Sequence, residues 1–412
     1  MNGRLITGLF AAIGCMALVV VGPAGGAEPL PTFQTSAILA GERLTGPDFR
    51  IGAVARNDGF LNHFSVTVDG KVHDVAGNAL MKVRLAELAA LGKMERIKRS
   101  DVYIKAVKNA ALSPLHAVKN LVTSPVGTVK GIASGVGTFF RGVGHSLFGG
   151  RSEQEDNVLK TMVGLDGAKR RFAYQFGIDP YTSFPPVRER LNEIAWAGVA
   201  GNLTLSAAFS AIPGPASGAL KGTKLAEGMR KVLRDRTPAE LKKINERKLA
   251  NMGVSPSIAE LFLEHPKFSP TQKTFLVDAL SRVRASNRGA FIQRAVLVQD
   301  ETMAFFMRRW AEMIAAYHQR VAPLARIVRL GMMPIAQRGD GVIVATLPID
   351  HLAWSETIAR RHGTNMQSIS SIAGVTGGEI WIEGSISRQA RDALEAQNWI
   401  VRDNVGSILG LN

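Results

Sequence analysis

The sequence predicts an α+β protein that is predominantly α-helical. Three observations lead to this fold class. Residues 49–78 alternate in places between apolar and polar side chains, which is typical of half-buried strands. Apolar residues recur at three- and four-residue spacing through much of 79–330, which indicates helices. Beyond Gly331, short β-branched runs alternate with helical segments, which indicates a small α/β domain. With 412 residues, 46% of them apolar, the chain can form two or three domains.

Residues 1–27 have the organisation of a secretory signal peptide. Arg4 precedes an uncharged apolar run from Leu5 to Val21, and the small residues that follow suit cleavage after Ala27. A retained membrane anchor is one alternative, although a run of about 17 residues is short for a span. Lipidation of Cys15 is another. Because Cys15 is the only cysteine, an exported mature chain would have no disulfide, thiolate metal site or cysteine nucleophile.

Residues 28–78 are predicted to be an extended segment with a β-hairpin. The dipeptide Asp69-Gly70 separates two alternating runs and suits a two-residue hairpin turn. The next segment, residues 79–151, begins with a predicted basic helix over 79–110. The apolar residues that recur at helical spacing along it are Leu80, Val83, Leu85, Leu88, Leu91, Met94 and Ile97.

Positive charge is concentrated in residues 79–151. The whole chain has 50 Lys and Arg against 34 Asp and Glu, a net charge of +16, and this segment alone has 12 against 3. A basic block of this kind is typical of proteins that bind nucleic acid or an anionic membrane surface. Export makes nucleic acid a poor partner, so we expect an anionic membrane surface or an acidic envelope partner. A solvated basic face without a partner is the alternative.

Residues 113–143, here named the strap, contain a degenerate repeat of eleven residues that begins at Ser113, Ser124 and Ser134. Ser followed by Pro is a good helix start, and eleven residues return apolar groups to one helix face. Each glycine costs a helix about 1 kcal/mol relative to alanine, so this helix needs a surface to lie on. The residues predicted to contact a membrane or a partner are Lys119, Gly127, Val129, Lys130, Gly131, Gly135, Phe139, Phe140 and Arg141.

Three interpretations of the strap are open. It can pack against the protein's own helical domain. It can lie in a membrane interface, with its aromatic residues buried and its cations facing anionic head groups. The third interpretation is a disordered linker.

Residues 152–330 are predicted to form a helical domain. Its predicted helical pieces are 187–212, 238–251, 256–264, 270–285 and 300–329. Residues 195–220 contain no charged side chain, and Pro213 ends an apolar limb of about 18 residues. The limb is predicted to be a buried helix of the domain or, alternatively, a membrane-inserting segment. Insertion of this segment together with the strap would make the protein a pore-former.

Residues 331–412 are predicted to form the small α/β domain. Asp350 and Glu383 each follow a predicted strand, so in a parallel sheet both would lie at its carboxyl edge, where open α/β sheets bind ligands. Two carboxylates there could share acid and base roles or bind a cation. A structural role for each, as a helix cap or a solvated side chain, is the alternative.

Motifs of catalysis and cofactor binding are otherwise absent from the sequence. It contains no P-loop, no G-x-S-x-G, no H-E-x-x-H and no histidine pair at metal-ligand spacing. We therefore predict no cofactor and no metal site.

Two stretches, "AYQFGIDPYTSFPPVRERLNEIAWAGVAG" and "EIWIEGSISRQARDALEAQNW", resemble an uncharacterised family of exported proteobacterial envelope proteins. The resemblance covers most of the mature chain and implies an envelope location. It implies no activity and assigns no role to any residue.

Together these features predict an exported, basic, non-catalytic protein, periplasmic or peripheral on the inner or outer membrane. It would bind or scaffold at an anionic surface or an envelope partner through the strap. A periplasmic hydrolase that uses Asp350 and Glu383 is the alternative, and a pore-former is a second one.

Overall fold

The computed structural model describes residues 27–111, 153–212, 224–331, 333–369 and 372–411. Residues 1–26 of the predicted signal peptide lie outside these ranges, as does the whole strap with its predicted contact residues from Lys119 to Arg141. The predicted fold class is confirmed, because the protein is a mixed α+β structure in which helices predominate.

The chain divides into two compact units. The mixed unit comprises the described residues of 1–82 and 238–412, and the helical unit comprises those of 83–237. The mixed unit therefore combines the predicted N-terminal segment with the predicted α/β domain, two parts of the chain that are far apart in sequence.

An antiparallel sheet forms the N-terminal part of the mixed unit. Its strands are β1 (Thr32–Gln34), β2 (Phe49–Ile51), β3 (Val54–Asn57), β4 (Asn62–Val68) and β5 (Lys71–Ala76), with a short helix α1 (Thr35–Ile38) after β1. The strand order is β1-β3-β4-β2, and β5 also pairs with β4. The predicted hairpin is confirmed: Val68 pairs with Lys71 across Asp69 and Gly70, whose φ angles are 49° and 74°. Positive φ at both central residues is typical of the type I′ turn.

A second sheet forms the C-terminal part of the mixed unit. Its strands are β6 (Leu324–Leu330), β7 (Met333–Arg338), β8 (Val342–Leu347), β10 (Gly377–Ile382) and β12 (Trp399–Arg402), and β9 (His351–Leu352) pairs with β11 (Ser385–Ile386) beside it. The order is β12-β10-β8-β7-β6, with β8, β10 and β12 parallel and β6, β7 and β8 antiparallel.

Helices supply much of the core of the mixed unit, and several of them contact this sheet. They are α8 (Pro238–Asn251), α9 (Pro256–Leu263), α10 (Pro270–Ser281), α11 (Gly289–Ala295), α12 (Glu301–Arg320), α13 (Glu356–Ile369), α14 (Arg388–Glu395) and α15 (Gly406–Leu409). Asp300 caps α12 by accepting the N–H of Met303 at 2.8 Å. One continuous apolar core joins Leu61 and Ala76 of the N-terminal sheet to these helices and to the second sheet.

The prediction of a helix over 300–329 is wrong at its end. Helix α12 stops at Arg320, and strand β6 begins at Leu324. Pro323 lacks the N–H that a continuing helix needs, and the run after it contains the β-branched pair Ile327 and Val328, which suits a strand.

The helical unit contains most of α2 (Asn78–Lys98), then α3 (Asp101–Ala111), α4 (Glu153–Phe176), α5 (Pro185–Ala200), α6 (Leu205–Ser210) and α7 (Lys224–Asp235). The predicted helix over 79–110 is present as α2 and α3, and Ser100 separates them by accepting the N–H of Tyr103 at 3.3 Å. Helix α5 packs against α3 and α4.

The prediction of one helix over 187–212 is wrong, because the uncharged segment 195–220 breaks before its prolines. Helix α5 ends at Ala200, and Asn202 has a φ of 58°. Gly201 lies so close to α3 that an added Cβ would be 2.1 Å from the carbonyl oxygen of Ala106. Thr204 then caps α6 by accepting the N–H of Ala207 at 3.2 Å. In the described ranges of the chain, no helix combines the length and the apolar character that a membrane span needs.

Candidate functional site

The carboxyl edge of the parallel strands contains both predicted carboxylates. Leu347 and Ile382 pair at the ends of β8 and β10, which places the two residues that follow, Asp350 and Glu383, at the same edge. Gly384 lies so close to the backbone of Asp350 that an added Cβ would be 2.0 Å from the carbonyl oxygen of Asp350. Strands β8 and β10 are parallel, which is the condition under which the two carboxylates were expected to share an edge.

Asp350 is a buried hydrogen-bond acceptor for the N-terminal segment. Its Oδ2 accepts the N–H of Asn62 at 2.7 Å, and both of its carboxylate oxygens accept the N–H of Asn78 at 3.0 Å. Asn78 is the first residue of α2, so the carboxylate caps that helix. Burial raises the pKa of Asp350 to about 7, although the backbone N–H groups favour the charged form.

Asparagine side chains form a network around this carboxylate. Asn57 donates from Nδ2 to Oδ1 of Asn62 at 3.0 Å, and Asn62 donates from Nδ2 to Oδ1 of Asn78 at 3.0 Å. The backbone N–H of Asp350 also donates to the carbonyl oxygen of Phe60 at 2.8 Å. The N-terminal segment therefore occupies the place beside Asp350 where a substrate of the predicted hydrolase would bind.

Glu383 is bound to an arginine of α12. The Nε atom of Arg309 donates to the two carboxylate oxygens of Glu383 at 3.0 and 3.1 Å. Arg309 also donates to the carbonyl oxygen of Leu411 at 2.6 Å, which ties the chain end to the same pair. Both predicted carboxylates thus have structural partners, and this geometry does not favour their use as a free acid and base.

His351 and Ser385 form a polar pair at the same edge that the sequence analysis did not single out. Nδ1 of His351 lies 2.8 Å from Oγ of Ser385, and the ring of Phe33 meets the imidazole edge-on at 5.2 Å between centroids. Burial lowers the pKa of His351, so its neutral form is favoured. In the part of the chain that the structure describes, no carboxylate hydrogen-bonds to this imidazole to orient it as in a catalytic triad.

His63 is held between two aspartates on the N-terminal sheet. Its ring nitrogens lie 3.2 Å from Oδ2 of Asp58 and 3.1 Å from Oδ2 of Asp74. These two hydrogen bonds raise the pKa of His63 to about 9, so the imidazole is cationic at neutral pH. Asp58 also accepts the N–H groups of Phe60 and Leu61 at 2.9 and 2.8 Å, which fixes the turn that contacts Asp350.

A separate candidate site is an open cavity of about 500 Å³ within the helical unit. A volume of this size is typical of small-molecule sites, which range over roughly 300–1,000 Å³. Helix α4 contributes most of the lining, with further residues at the start of α6 and the end of α7. The lining residues are Gly167, Arg170, Arg171, Tyr174, Gln175, Leu205, Arg234 and Asp235.

Tyr174 is fixed at the wall of this cavity. Its hydroxyl donates to Oε1 of Glu227 at 2.8 Å. The guanidinium of Arg234 lies 4.5 Å from the centre of its ring and that of Arg230 lies 5.4 Å away, which are cation–π distances. Arg234 in turn donates to both carboxylate oxygens of Asp235 at 2.7 and 3.0 Å. The aromatic ring therefore orders two of the arginines near the cavity.

We name this cavity the arginine cavity, because Arg170 and Arg171 line it together with Arg234. Arg170 is buried, and its Nε donates to the carbonyl oxygen of Arg234 at 3.2 Å. Its Nη1 has no hydrogen-bond acceptor and lies 3.5 Å from Oδ2 of Asp166. An unmet buried donor costs roughly 1–3 kcal/mol, which an incoming acceptor would offset. Arg171 is exposed and has no ion-pair partner among the described residues.

The stretch of sequence that contains the helical unit is also basic. Residues 83–237 have 23 Lys and Arg against 12 Asp and Glu, a net charge of +11 out of +16 for the whole chain. The arginine cavity was not predicted from the sequence, although one signal was present. Arg170, Arg171 and Tyr174 stand three and four residues apart on one predicted helix, a spacing that places basic and aromatic side chains together.

Among the residues that the structure describes, no three His, Cys, Asp or Glu side chains are close enough together to hold a metal ion. Comparison of the chain with protein-family models, with curated proteins and with solved structures finds no match.

Proposed function

We propose that the protein is a non-catalytic binding protein of the cell envelope whose helical unit contacts an anionic surface. The observation that carries this proposal is the concentration of charge: residues 83–237 hold +11 of the net +16. A net positive charge on this part of the protein attracts an anionic partner over about a Debye length, and the attraction weakens as salt is added.

The strap would add the apolar part of the contact. Its predicted cations are Lys119, Lys130 and Arg141, and its predicted aromatic pair is Phe139 and Phe140. Each cation near an anionic membrane contributes about 1 kcal/mol, and buried aromatic rings add to that. The attachment would therefore be reversible and sensitive to salt, as expected for a peripheral protein exported to the periplasmic side of a membrane.

Two observations support a binding role over the hydrolase alternative. Asp350 accepts backbone N–H groups of the N-terminal segment, and Glu383 is paired with Arg309. The arginine cavity, by contrast, has cations that an anionic partner could reach. The pore-forming alternative stays a prediction that the same experiment addresses.

Vesicle flotation tests the proposal with the chain from residue 28 to residue 412. Vesicles of phosphatidylcholine, with and without phosphatidylglycerol, are compared at low and high salt. We expect flotation only with phosphatidylglycerol, a loss of flotation at high salt, and weaker flotation of the variant Phe139→Ala/Phe140→Ala.

A matched control replaces two exposed apolar residues of the mixed unit, Leu261 and Leu297, by alanine. This control should float as the wild type does. Flotation that ignores lipid charge would exclude the electrostatic part of the proposal, and equal loss in both double variants would exclude a specific role for the strap. Release of a dye trapped inside the vesicles would instead favour the pore-former.

A further inference from the structure

We propose that the arginine cavity is a binding site for a phosphate monoester in its dianionic form. This inference rests on the proposed function of the helical unit as an anion-binding surface, and it adds the chemistry of the group that is recognised. The cavity lies wholly within the helical unit, and its volume of about 500 Å³ has room for a phosphoryl group and the first part of the molecule that carries it.

The charge of the lining favours a dianion. Three arginines and one aspartate line the cavity, a net charge of +2. Asp235 is already bound by both donors of the Arg234 fork, and Oδ2 of Asp166 lies 3.5 Å from Nη1 of Arg170. Arg171 is therefore the lining cation that has no ion pair among the described residues. A phosphate monoester carries nearly two negative charges at neutral pH, whereas a diester or a carboxylate carries one.

The available donors also suit a phosphoryl group. A guanidinium presents paired N–H donors in a plane that matches two phosphate oxygens. Nη1 of Arg170 is buried without a hydrogen-bond acceptor, 3.5 Å from Oδ2 of Asp166, and Arg171 has no ion-pair partner in the described ranges. Leu205 and Gly167 add an apolar wall, and Gln175 offers an amide to an ester or hydroxyl oxygen of the bound molecule.

Local packing holds the cavity in shape before a ligand arrives. Arg170 donates to the carbonyl oxygen of Arg234, which joins α4 to the end of α7. Arg230 donates to the carbonyl oxygen of Tyr174 at 3.0 Å, which makes a second link between the same two helices. Because these links do not use Arg171, that side chain can bind a ligand without loss of the cavity.

Titration calorimetry with two soluble probes tests the proposal on the chain from residue 28 to residue 412. Methyl phosphate is a monoester dianion, and dimethyl phosphate is a diester monoanion of similar shape. We expect one methyl phosphate per protein and binding at least about tenfold weaker for dimethyl phosphate, as one lost charge-assisted contact implies. Binding of methyl phosphate should weaken about tenfold from pH 7.5 to pH 5, because its second pKa is about 6.

Three variants locate the site. Arg171→Gln removes a cation and should weaken methyl phosphate binding about tenfold or more. Leu205→Trp fills the cavity without a change of charge and should also abolish binding. Arg96→Gln removes an exposed cation of the same unit that does not line the cavity, and it should bind as the wild type does. Thermal melting confirms that each variant is folded.

The proposal is overturned if methyl phosphate fails to bind at about 10 mM, if dimethyl phosphate binds equally well, or if Arg171→Gln and Leu205→Trp both bind as the wild type does. Vesicles then distinguish the source of the group. Stronger flotation with phosphatidic acid, a lipid monoester, than with phosphatidylglycerol at equal charge, lost in Arg171→Gln, identifies a lipid head group. Equal flotation with both lipids, together with methyl phosphate binding, identifies a free phosphate monoester.

Failure of this inference is separable from failure of the proposed function. If phosphatidylglycerol vesicles bind the protein but methyl phosphate does not, the anionic-surface function stands and the cavity site is excluded. If methyl phosphate binds but no vesicle does, the cavity site stands and the anionic-surface function is excluded.

Discussion

The substitution Asp350→Asn removes a charge from the contact between the N-terminal segment and the C-terminal sheet while it keeps the shape of the side chain. In the wild type, two carboxylate oxygens accept the N–H groups of Asn62 and Asn78. Asparagine has one oxygen and one amide nitrogen in the same positions, so one acceptor is replaced by a donor that faces another donor. This cost is independent of pH.

The raised pKa of Asp350 sets how much the unfolding free energy changes with pH. Burial raises the pKa of Asp350 from 3.8 to about 7, so the folded state binds this proton more tightly than the unfolded state does. The stability from the bound proton is therefore fully present below about pH 4 and is lost as the pH rises to about 7. A shift of about three pKa units corresponds to about 4 kcal/mol. The asparagine variant does not titrate, so its unfolding free energy relative to the wild type should rise by about 4 kcal/mol between pH 4 and pH 8.

Urea unfolding followed by tryptophan fluorescence measures this difference. Four of the five tryptophans, Trp310, Trp354, Trp381 and Trp399, belong to the mixed unit, so the signal reports mainly that unit. Asp392→Asn, which changes an exposed aspartate of the same unit, is the control and should leave the pH profile of the wild type unchanged. The titration of His63 is common to all three proteins and cancels in the comparison. Parallel pH profiles of the wild type and Asp350→Asn would refute the reasoning.

Three further substitutions have expected outcomes. His63→Gln should destabilise the mixed unit by about 1–2 kcal/mol below pH 6.5 and progressively less up to pH 9. The raised pKa of His63 adds stability that is lost as the pH rises through that window. Partial exposure of the imidazole reduces the size of this effect. Glu383→Gln should lower the unfolding free energy of the mixed unit by about 2–4 kcal/mol, since it leaves Arg309 underpaired. Gly201→Ala should destabilise the helical unit by about 3 kcal/mol, because the new Cβ meets the carbonyl of Ala106 at 2.1 Å, and circular dichroism during thermal melting measures the loss.

Each of these expectations has a contradicting result. A His63→Gln effect that does not vary with pH would contradict the assignment of the two aspartate contacts. Unchanged urea unfolding of Glu383→Gln would place that side chain in solvent. Gly164→Ala, where an added Cβ meets Val199 at an ordinary 3.7 Å, is the control for Gly201→Ala, and equal melting of the two variants would rule out the close helix contact.

Local sequence patterns predicted the fold class because they reflect local physics. The Asp69-Gly70 turn follows from the positive φ angles that a two-residue hairpin needs. The helix over 238–251 follows from apolar spacing and appears with the same bounds. Strand β6 was predicted as helix because its apolar residues fit a helical spacing as well as a strand, and pairing with β7 decides between the two.

The candidate site was predictable only in part. The parallel strands that place Asp350 and Glu383 at one edge could be inferred from the order of strands and helices along the chain. The partners of these carboxylates could not, because Asn62 lies 288 residues from Asp350 and Arg309 lies 74 residues from Glu383. The arginine cavity needs three helices to meet, and only its α4 residues lie close together in sequence.

By itself, the sequence determined the composition of the surface and the local elements of this protein: its net charge, its hairpin turn and most of its helices. These properties depend on side chains that are neighbours along the chain. The tertiary structure decided which polar groups are hydrogen-bonded inside the protein and which are left to bind a partner. Asp350 and Glu383 have partners inside the protein, whereas Arg171 has no ion-pair partner among the described residues. The reason is that a buried charge must find hydrogen-bond partners wherever folding brings them, and chain distance places no limit on where they come from.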